Sequence, residues 1–478
     1  MQSFRLPPPK ALIFDLGGVF TTSRLDSVHF ETGKSTISFD RLIRTSTWMN
    51  YECGKISEDE CYSTLSELCG FPVAELYDAI KKGRARADYD ESLISFLSKL
   101  KKSHGDSLKI LLMTNISQPD YLALKDKWGP SFWSVFDRVF TSSENGVRKP
   151  SPRFYHKVLQ ELRVSPRDAF FVDDLIENMI TAKAIGIRGL LFQSVQQTIS
   201  VLTNLLGDPV EKGRAWLKAN ARKMDTTTDC GAIVVKENYS QLLIYEATRD
   251  FMLKPMTKFM NSEEPKFTTR RYPDDLDTTS LALSVLEYDE ETIHGLLDDM
   301  LGNIDDDGMI EFYFDPSRPR IDAVISVNVV TLFCKYGRRY QVQSTFQWIH
   351  DILFHHAYLD GTRYYSTPEW FLYYVSRLIE ESNDEVVTEK FHGLLRKRIQ
   401  ERVGSDGDAL CLAMRILVCK RVGLLCPFEV EKLLSLQCED GGWEQVYMYR
   451  FPGVDKKLGN RGVSTALALK ALAAVSHH

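Results

Sequence analysis

Four compact apolar runs, Ala11–Phe14, Leu108–Met113, Arg138–Thr141 and Ala169–Val172, each open onto a polar or glycine-containing loop. Helical patterns separate them. Strands that are apolar throughout are buried on both faces, and strands joined through helices pair in parallel. The alternation therefore predicts an α/β domain with a parallel sheet and crossover helices. Residues from about 22 to 100 interrupt it after the first run. They are mostly helical in pattern, with a helix start at Ser57-Glu58-Asp59-Glu60, and predict a helical cap inserted over the sheet. The alternation stops between about 205 and 225. Beyond it come amphipathic helices joined by short loops rich in Asp, Gly and Pro. Thr367-Pro368-Glu369 reads as N-cap, first-position proline and first-turn acid of a helix running to Glu381. Asp305-Asp306-Asp307-Gly308 and Glu439-Asp440-Gly441-Gly442-Trp443 echo each other, as repeated helical hairpins of a toroid would. The expected division is an α/β domain over 1–205, a linker over 206–224 and an all-α domain over 225–478.

The chain has 478 residues, room for two or three domains, and 44% of them are hydrophobic. A net charge of −6 argues against a nucleic-acid partner, which would favour a basic face. No apolar run approaches the roughly 20 residues that cross a bilayer. The short, Pro-rich N-terminus does not read as a secretory signal. Nine scattered cysteines without a CxxC pair suit reduced thiols in the cytosol, so a cytoplasmic location is expected.

In the first half, four elements recur in order at the carboxyl ends of the expected strands. Asp15 lies in Ile13-Phe14-Asp15-Leu16-Gly17-Gly18-Val19, and Thr114-Asn115 ends the second run. Lys149 follows in Val147-Arg148-Lys149-Pro150, and Asp173-Asp174 ends the fourth run. Ligands of open α/β sheets bind at strand carboxyl ends, so all four can converge. The set fits phosphoryl transfer. A carboxylate attacks phosphorus, and Asp15, Asp173 and Asp174 offer hard oxygens to Mg²⁺. Thr114, Asn115 and Lys149 would hold the phosphate.

This ordered set resembles the haloacid dehalogenase superfamily across roughly residues 8–200. The resemblance implies that Asp15 is the nucleophile and that Asp173 and Asp174 help hold Mg²⁺. One position departs. The family's second Asp, the acid that protonates the leaving group, is replaced by Gly17. Losing a general acid costs about 10²–10⁴ in rate, less for a good leaving group such as phosphate. An active phosphatase, a slow one and a retired fold all stay open.

In the second half, Pro273-Asp274-Asp275-Leu276-Asp277-Thr278-Thr279 opens an apolar helix. By itself this suits an acidic helix cap. Its surroundings suggest more. Arg270 and Arg271 lie just upstream and suit a diphosphate. Gln437-Cys438-Glu439-Asp440-Gly441-Gly442-Trp443 matches a QxxDGGW repeat. Aromatic residues crowd the loops, among them Tyr272, Phe312, Tyr313, Phe314, Trp370, Phe371, Tyr373, Tyr374 and Tyr447. Protonating an alkene needs a buried carboxyl that keeps its proton. The carbocation that follows is stabilised by aromatic faces and apolar walls.

Asp275-Leu276-Asp277-Thr278-Thr279 resembles the DxDTT variant of the class II terpene cyclase motif. Joined to a dehalogenase-like domain, it resembles the drimane-type sesquiterpene cyclases over nearly the whole chain. That resemblance implies a toroidal helical domain acting on farnesyl diphosphate. Asp277 would be the proton donor and Asp275 its partner, with Thr278, Thr279, Arg270, Arg271 and Trp443 at the substrate. It also implies a bicyclic drimanyl or albicanyl diphosphate product, with dephosphorylation to follow. No metal box of the ionising cyclases is found: Asp298-Asp299 lacks a third acid. The rival readings are a small-molecule phosphatase with a passive helical half, and a pair of binding modules.

Overall fold

A computed structural model describes residues 8–21, 29–31, 36–231, 233–235, 237–249, 274–382, 384–451 and 456–476. The chain divides into two compact units, with the boundary between Leu206 and Gly207.

The first unit is a five-stranded parallel sheet of β1 (Ala11–Phe14), β2 (Lys109–Thr114), β3 (Arg138–Thr141), β4 (Ala169–Asp173) and β5 (Arg188–Leu191). Its order is β3-β2-β1-β4-β5, and every pairing is parallel. The sheet is covered on both faces. Phe14, Leu112 and Val172 meet Leu93, Leu97, Trp128 and Phe132 on one side, while Ile13, Leu111 and Phe171 meet Phe154, Val158 and Met179 on the other. Two-sided burial is why these strands are apolar runs rather than alternating ones. β1 lies centrally between β2 and β4, so its carboxyl end faces theirs.

The inserted cap has its own small core of Phe30, Trp48, Tyr51, Tyr62, Leu76 and Ile80. Ser57 caps the helix Glu58–Cys69 by accepting from the Glu60 amide at 3.1 Å. The cap is shorter than expected. Helix Glu91–His104 packs on the sheet through Leu93, Ile94 and Leu97, so the inserted helices end at Arg86.

The second unit is built on a closed ring of six helices: α1 (Tyr239–Thr248), α2 (Leu276–Val285), α3 (Ala323–Lys335), α4 (Pro368–Glu381), α5 (Ala409–Arg421) and α6 (Arg461–Ser476). Each packs on the next, and α6 packs back on α1. They are buried nearly all round: every residue of α2 from Leu276 to Leu283 and of α3 from Val324 to Cys334 is buried. That is why their apolar periodicity is weak. Shorter-faced helices, Gln343–Phe354, Glu385–Arg402, Pro427–Ser435 and Pro209–Ala219, pack outside the ring. An α/α toroid results.

Two expectations change. Most of the segment expected as a linker, 206–224, is the helix Pro209–Ala219, capped by Asp208 and packed on α6. The helical half also holds a four-stranded antiparallel sheet of Tyr447–Phe451, Lys456–Gly459, Thr226–Thr228 and Val234–Val235. These strands are two to five residues long, too short for a period-2 signal to stand out.

The two echoing loops share one geometry. Isolated bridges join Ile304 to Ile310 and Gln437 to Trp443, each spanning a turn with a glycine in the left-handed region, Gly308 and Gly441. Gln437 donates to the carbonyls of Pro209 and Gly441. Asp440 accepts from the Trp216 indole at 3.0 Å and from both Arg461 terminal nitrogens at 2.9 Å. A side chain at Gly442 would meet the Trp216 ring at 2.8 Å, so only glycine lets that ring pack there. The QxxDGGW loop is thus a staple between Pro209–Ala219 and α6.

Candidate active sites

The carboxyl ends of β1, β2 and β4 bring the four sequence elements of the first unit together. Lys149 is 1% exposed, and its Nζ lies 2.7 Å from both Asp15 Oδ1 and Asp173 Oδ2. Asp15 Oδ1 also accepts from the Leu16 amide at 2.7 Å. Burial pushes the Asp15 carboxyl up to about 7 against the opposing pull of Lys149, with Asp173 adding to the rise. The two carboxylates hold the Lys149 ammonium above its usual range despite burial. Carboxylate oxygens of Asp15, Asp173 and Asp174 lie within 4.8 Å of one another, a hard-oxygen cluster of the kind Mg²⁺ takes. Thr114 is buried at the end of β2.

Asn115 braces Lys149: its Nδ2 donates to the Lys149 carbonyl at 3.0 Å and its Oδ1 accepts the Lys149 amide at 2.8 Å, which leaves the amide one further N–H and one further lone pair. Asn178 was not anticipated. Its Nδ2 donates to both oxygens of Asp173, at 3.0 and 3.1 Å, and fixes that carboxylate. Its signal was faint: a polar residue on the helix directly after the paired acids. At Gly17 an added Cβ would meet nothing within 4 Å, so the empty acid position is open space.

In the second unit, residues of α1, α3, α4 and the loop before α4 gather around Asp277 at the start of α2. Asp275 is the N-cap of α2, accepting from the Thr278 amide at 2.6 Å and the Thr278 hydroxyl at 3.1 Å. The helix-cap reading is therefore right for Asp275. The Thr279 hydroxyl is buried without a hydrogen-bond partner among the described residues. Asp277, one residue into the helix and 5% exposed, takes its bonds from other elements. Asn328 of α3 donates from Nδ2 to Asp277 Oδ1 at 2.8 Å and to the Asp277 carbonyl at 2.9 Å. The Tyr365 hydroxyl, just before α4, donates to Oδ2 at 2.5 Å. Asn328 is oriented in turn by Arg377, whose Nη1 donates to Asn328 Oδ1 at 3.1 Å. A guanidinium only donates, so the amide must turn its oxygen to Arg377 and its nitrogen to Asp277. Glu246 of α1 anchors Arg377 at 2.9 Å.

Burial pushes the Asp277 carboxyl up to about 6, while bonds from Tyr365 and Asn328 pull it down and Asp322 raises it. Burial pushes Asp275 up to about 8; its Thr278 bonds oppose this and Asp277 adds to it. Asp277 is held the lower of the two because it receives directional donors from α3 and from the loop before α4. The aromatic residues divide into groups. Tyr365 lies 5.4 Å from Trp370, 6.4 Å from Tyr374 and 6.3 Å from Tyr239 between ring centroids, around the Asp277 carboxyl. Phe312, Tyr313 and Tyr364 cluster beside Asp275, with Tyr313 bridged to it. Phe371 stacks on Tyr358.

Trp443 is corrected from substrate wall to packing staple. It is fully buried, donates its indole N–H to the Leu433 carbonyl at 2.8 Å, and lies against Gly213. Arg270, Arg271 and Tyr272 lie outside the described residues. Asn328, Tyr239 and Arg377 on other helices, and Tyr365 in the loop before α4, were missed because they lie far from Asp277 in the chain. Tyr364-Tyr365, directly before the readable helix start at Thr367, was the available signal.

Among the described residues, no helix is long and apolar enough to cross a membrane. All nine cysteines are free thiols, six of them buried.

Comparison with known proteins agrees with this division. The family described as haloacid dehalogenase-like hydrolase matches residues 9–186, and the sesquiterpene cyclase astC-like C-terminal domain matches residues 210–336. Drimenol cyclase drtB of Aspergillus calidoustus is 36% identical over 97% of this chain and 88% of its own. Sesquiterpene phosphatase astK of Aspergillus oryzae is 35% identical over 41% of this chain and 97% of its own. A solved haloacid-dehalogenase-like hydrolase of Porphyromonas gingivalis aligns at 20% identity with a TM-score of 0.34, covering 42% of this chain and 100% of that one. The chain is an enzyme of the family of sesquiterpene cyclases represented by drimenol cyclase, with a haloacid dehalogenase-like hydrolase domain ahead of a helical cyclase domain.

Proposed function

We propose that the helical unit is a class II cyclase that protonates farnesyl diphosphate at Asp277 and closes two rings to a drimane-type diphosphate. The observation that carries this reading is the Asp277 carboxyl, buried within the helical unit and gripped through both oxygens by Asn328 and Tyr365. An alkene is a poor base, so its acid must be protonated near neutral pH and yet give the proton readily. Burial meets the first demand. The two donors, which stabilise the carboxylate left behind, meet the second. The nearby Trp370 and Tyr365 rings offer π faces worth about 0.5–2 kcal/mol each to a passing cation. Proton loss from the bicyclic cation leaves an alkene, with the diphosphate untouched. Asp275 acts by holding the first turn of α2, and with it Asp277, in place. Arg270 and Arg271 are proposed to meet the diphosphate.

The first unit then acts on the phosphorylated product. Asp15 attacks phosphorus, the bond to the leaving oxygen breaks, and water hydrolyses the aspartyl-phosphate. Lys149 and Thr114 hold the phosphate oxygens. Mg²⁺ on Asp15, Asp173 and Asp174 would offset the charge of the phosphoryl oxygens. With Gly17 in place of the leaving-group acid, cleavage that expels phosphate is favoured over cleavage that expels an alkoxide. The test is incubation of the purified chain with farnesyl diphosphate and Mg²⁺, with products read before and after added phosphatase. A linear farnesyl skeleton throughout would end the cyclase reading.

A further inference from the structure

A protonating carboxyl is left as a carboxylate after each cyclisation and must be recharged before the next. Of the two groups that grip Asp277, Asn328 holds Oδ1 with an amide, which does not hand on a proton near neutral pH. Tyr365 holds Oδ2 with a hydroxyl, and that hydroxyl does not stand alone. It lies 2.7 Å from the Tyr239 hydroxyl, which in turn bonds the Tyr374 hydroxyl. Three phenols from α1, α4 and the loop before α4 thus form one hydrogen-bonded row ending on the catalytic acid.

Each phenol has one proton to donate and an oxygen that can accept, so the row has two polarities. With Asp277 ionised, Tyr365 must donate to it, and the donations run from Tyr374 through Tyr239 to Tyr365. With Asp277 protonated, Tyr365 is free to donate back to Tyr239. The three residues are buried: Tyr374 is 0%, Tyr365 3% and Tyr239 6% exposed. Packing alone does not require polar groups here, since a buried hydroxyl must find a partner while phenylalanine fills nearly the same volume.

We propose that Tyr365, Tyr239 and Tyr374 are a proton relay that recharges Asp277 between turnovers. This rests on Asp277 being the cyclising acid. Asp277 gives its proton to the alkene carbon. The Tyr365 O–H bond then breaks as a new O–H bond forms on Asp277 Oδ2. The Tyr239 proton moves to Tyr365 and the Tyr374 proton to Tyr239. Tyr374 is closed to solvent in this structure, so water admitted to the site as product leaves carries the proton that restores it, and the proton shed by the bicyclic cation returns to solvent, so charge and atoms balance over the cycle. The shifts run in concert, because burial and the Asp277 charge push all three phenols well above their ordinary range and disfavour a lone tyrosinate.

The test compares first and later turnovers of farnesyl diphosphate in Tyr239→Phe and Tyr374→Phe, neither of which removes a hydrogen bond to Asp277. Product is measured with enzyme in excess, for one turnover, and with substrate in excess. A broken relay leaves the first turnover within about threefold of the wild type and slows later ones by about tenfold or more. Equal loss in both regimes marks the tyrosines as merely structural and overturns the relay. Unchanged rates in both regimes overturn it as well. Bicyclic product from Asp277→Asn in the first turnover would instead remove the acid assignment itself, an outcome the tyrosine variants do not mimic.

Discussion

Replacing Asp277 by Asn tests chemistry and electrostatics together. The side chains are nearly isosteric. Asn at 277 still accepts from Asn328 and can donate to the Tyr365 oxygen, so the contacts at 2.8 and 2.5 Å survive in altered polarity. The variant therefore folds but has no proton to give, and cyclisation falls by at least about 10³-fold, near the upper end for loss of an acid. Stability carries an independent signature. The Asp277 carboxyl rises from an ordinary 3.8 to about 6 in the folded protein. A raised carboxyl favours the folded state while protonated there, fully so below 3.8, and that contribution is lost as pH rises through about 6. At about 1.4 kcal/mol per pH unit the full contribution is about 3 kcal/mol, of which the wild type should lose roughly 2 kcal/mol relative to the variant between pH 4 and 6, and less than about 0.5 kcal/mol more above it. Denaturant titrations of both proteins at pH 4, 5, 6 and 7 give the difference, and the carboxylates not coupled to Asp277 cancel, Asp275 being the coupled one. A flat difference across that window, or persistent bicyclic product, would refute the reasoning.

Other outcomes follow from the same geometry. Cyclisation rate in the wild type should fall about tenfold per pH unit above about 6, as Asp277 ionises, read as initial rates with saturating substrate. Asp15→Asn should abolish phosphate release while cyclisation continues, so bicyclic diphosphate accumulates; unchanged dephosphorylation would make the first unit structural. Gly17→Asp enters open space, and it should speed hydrolysis of an alkyl monophosphate by up to about 10²-fold with little effect on an anhydride. Trp443→Ala removes a staple, so it should destabilise the helical unit by about 3–5 kcal/mol without changing the product skeleton.

Much of this protein was readable from short stretches of sequence. The strands near Asp15, Thr114, Arg138 and Asp173 announce themselves because burial on both faces makes them continuously apolar. Ser57 and the Thr367-Pro368 pair mark helix starts because capping is a local affair of three or four residues. The cap's end at Arg86 was not readable, since Glu91–His104 has the same amphipathic pattern whether it covers a sheet or another helix. Nor was the helical character of the segment after Leu206, or the work of Trp443, whose aromatic ring suits a cavity wall as well as a helix contact.

The sequence by itself determined the two-part architecture and the pair of acids at the start of α2, because both depend on neighbours within a few residues. The local pattern left those acids equivalent, and the resemblance to class II cyclases alone ranked Asp277 as the donor. The tertiary structure supplies the physical difference between them. Asp275 spends its oxygens on its own helix, at Thr278, and is a cap. Asp277 is gripped by Asn328, 51 residues away, and by Tyr365, 88 residues away. Acid strength in a buried carboxyl is set by the donors aimed at it, and closing the helix ring is what brings those donors to Asp277.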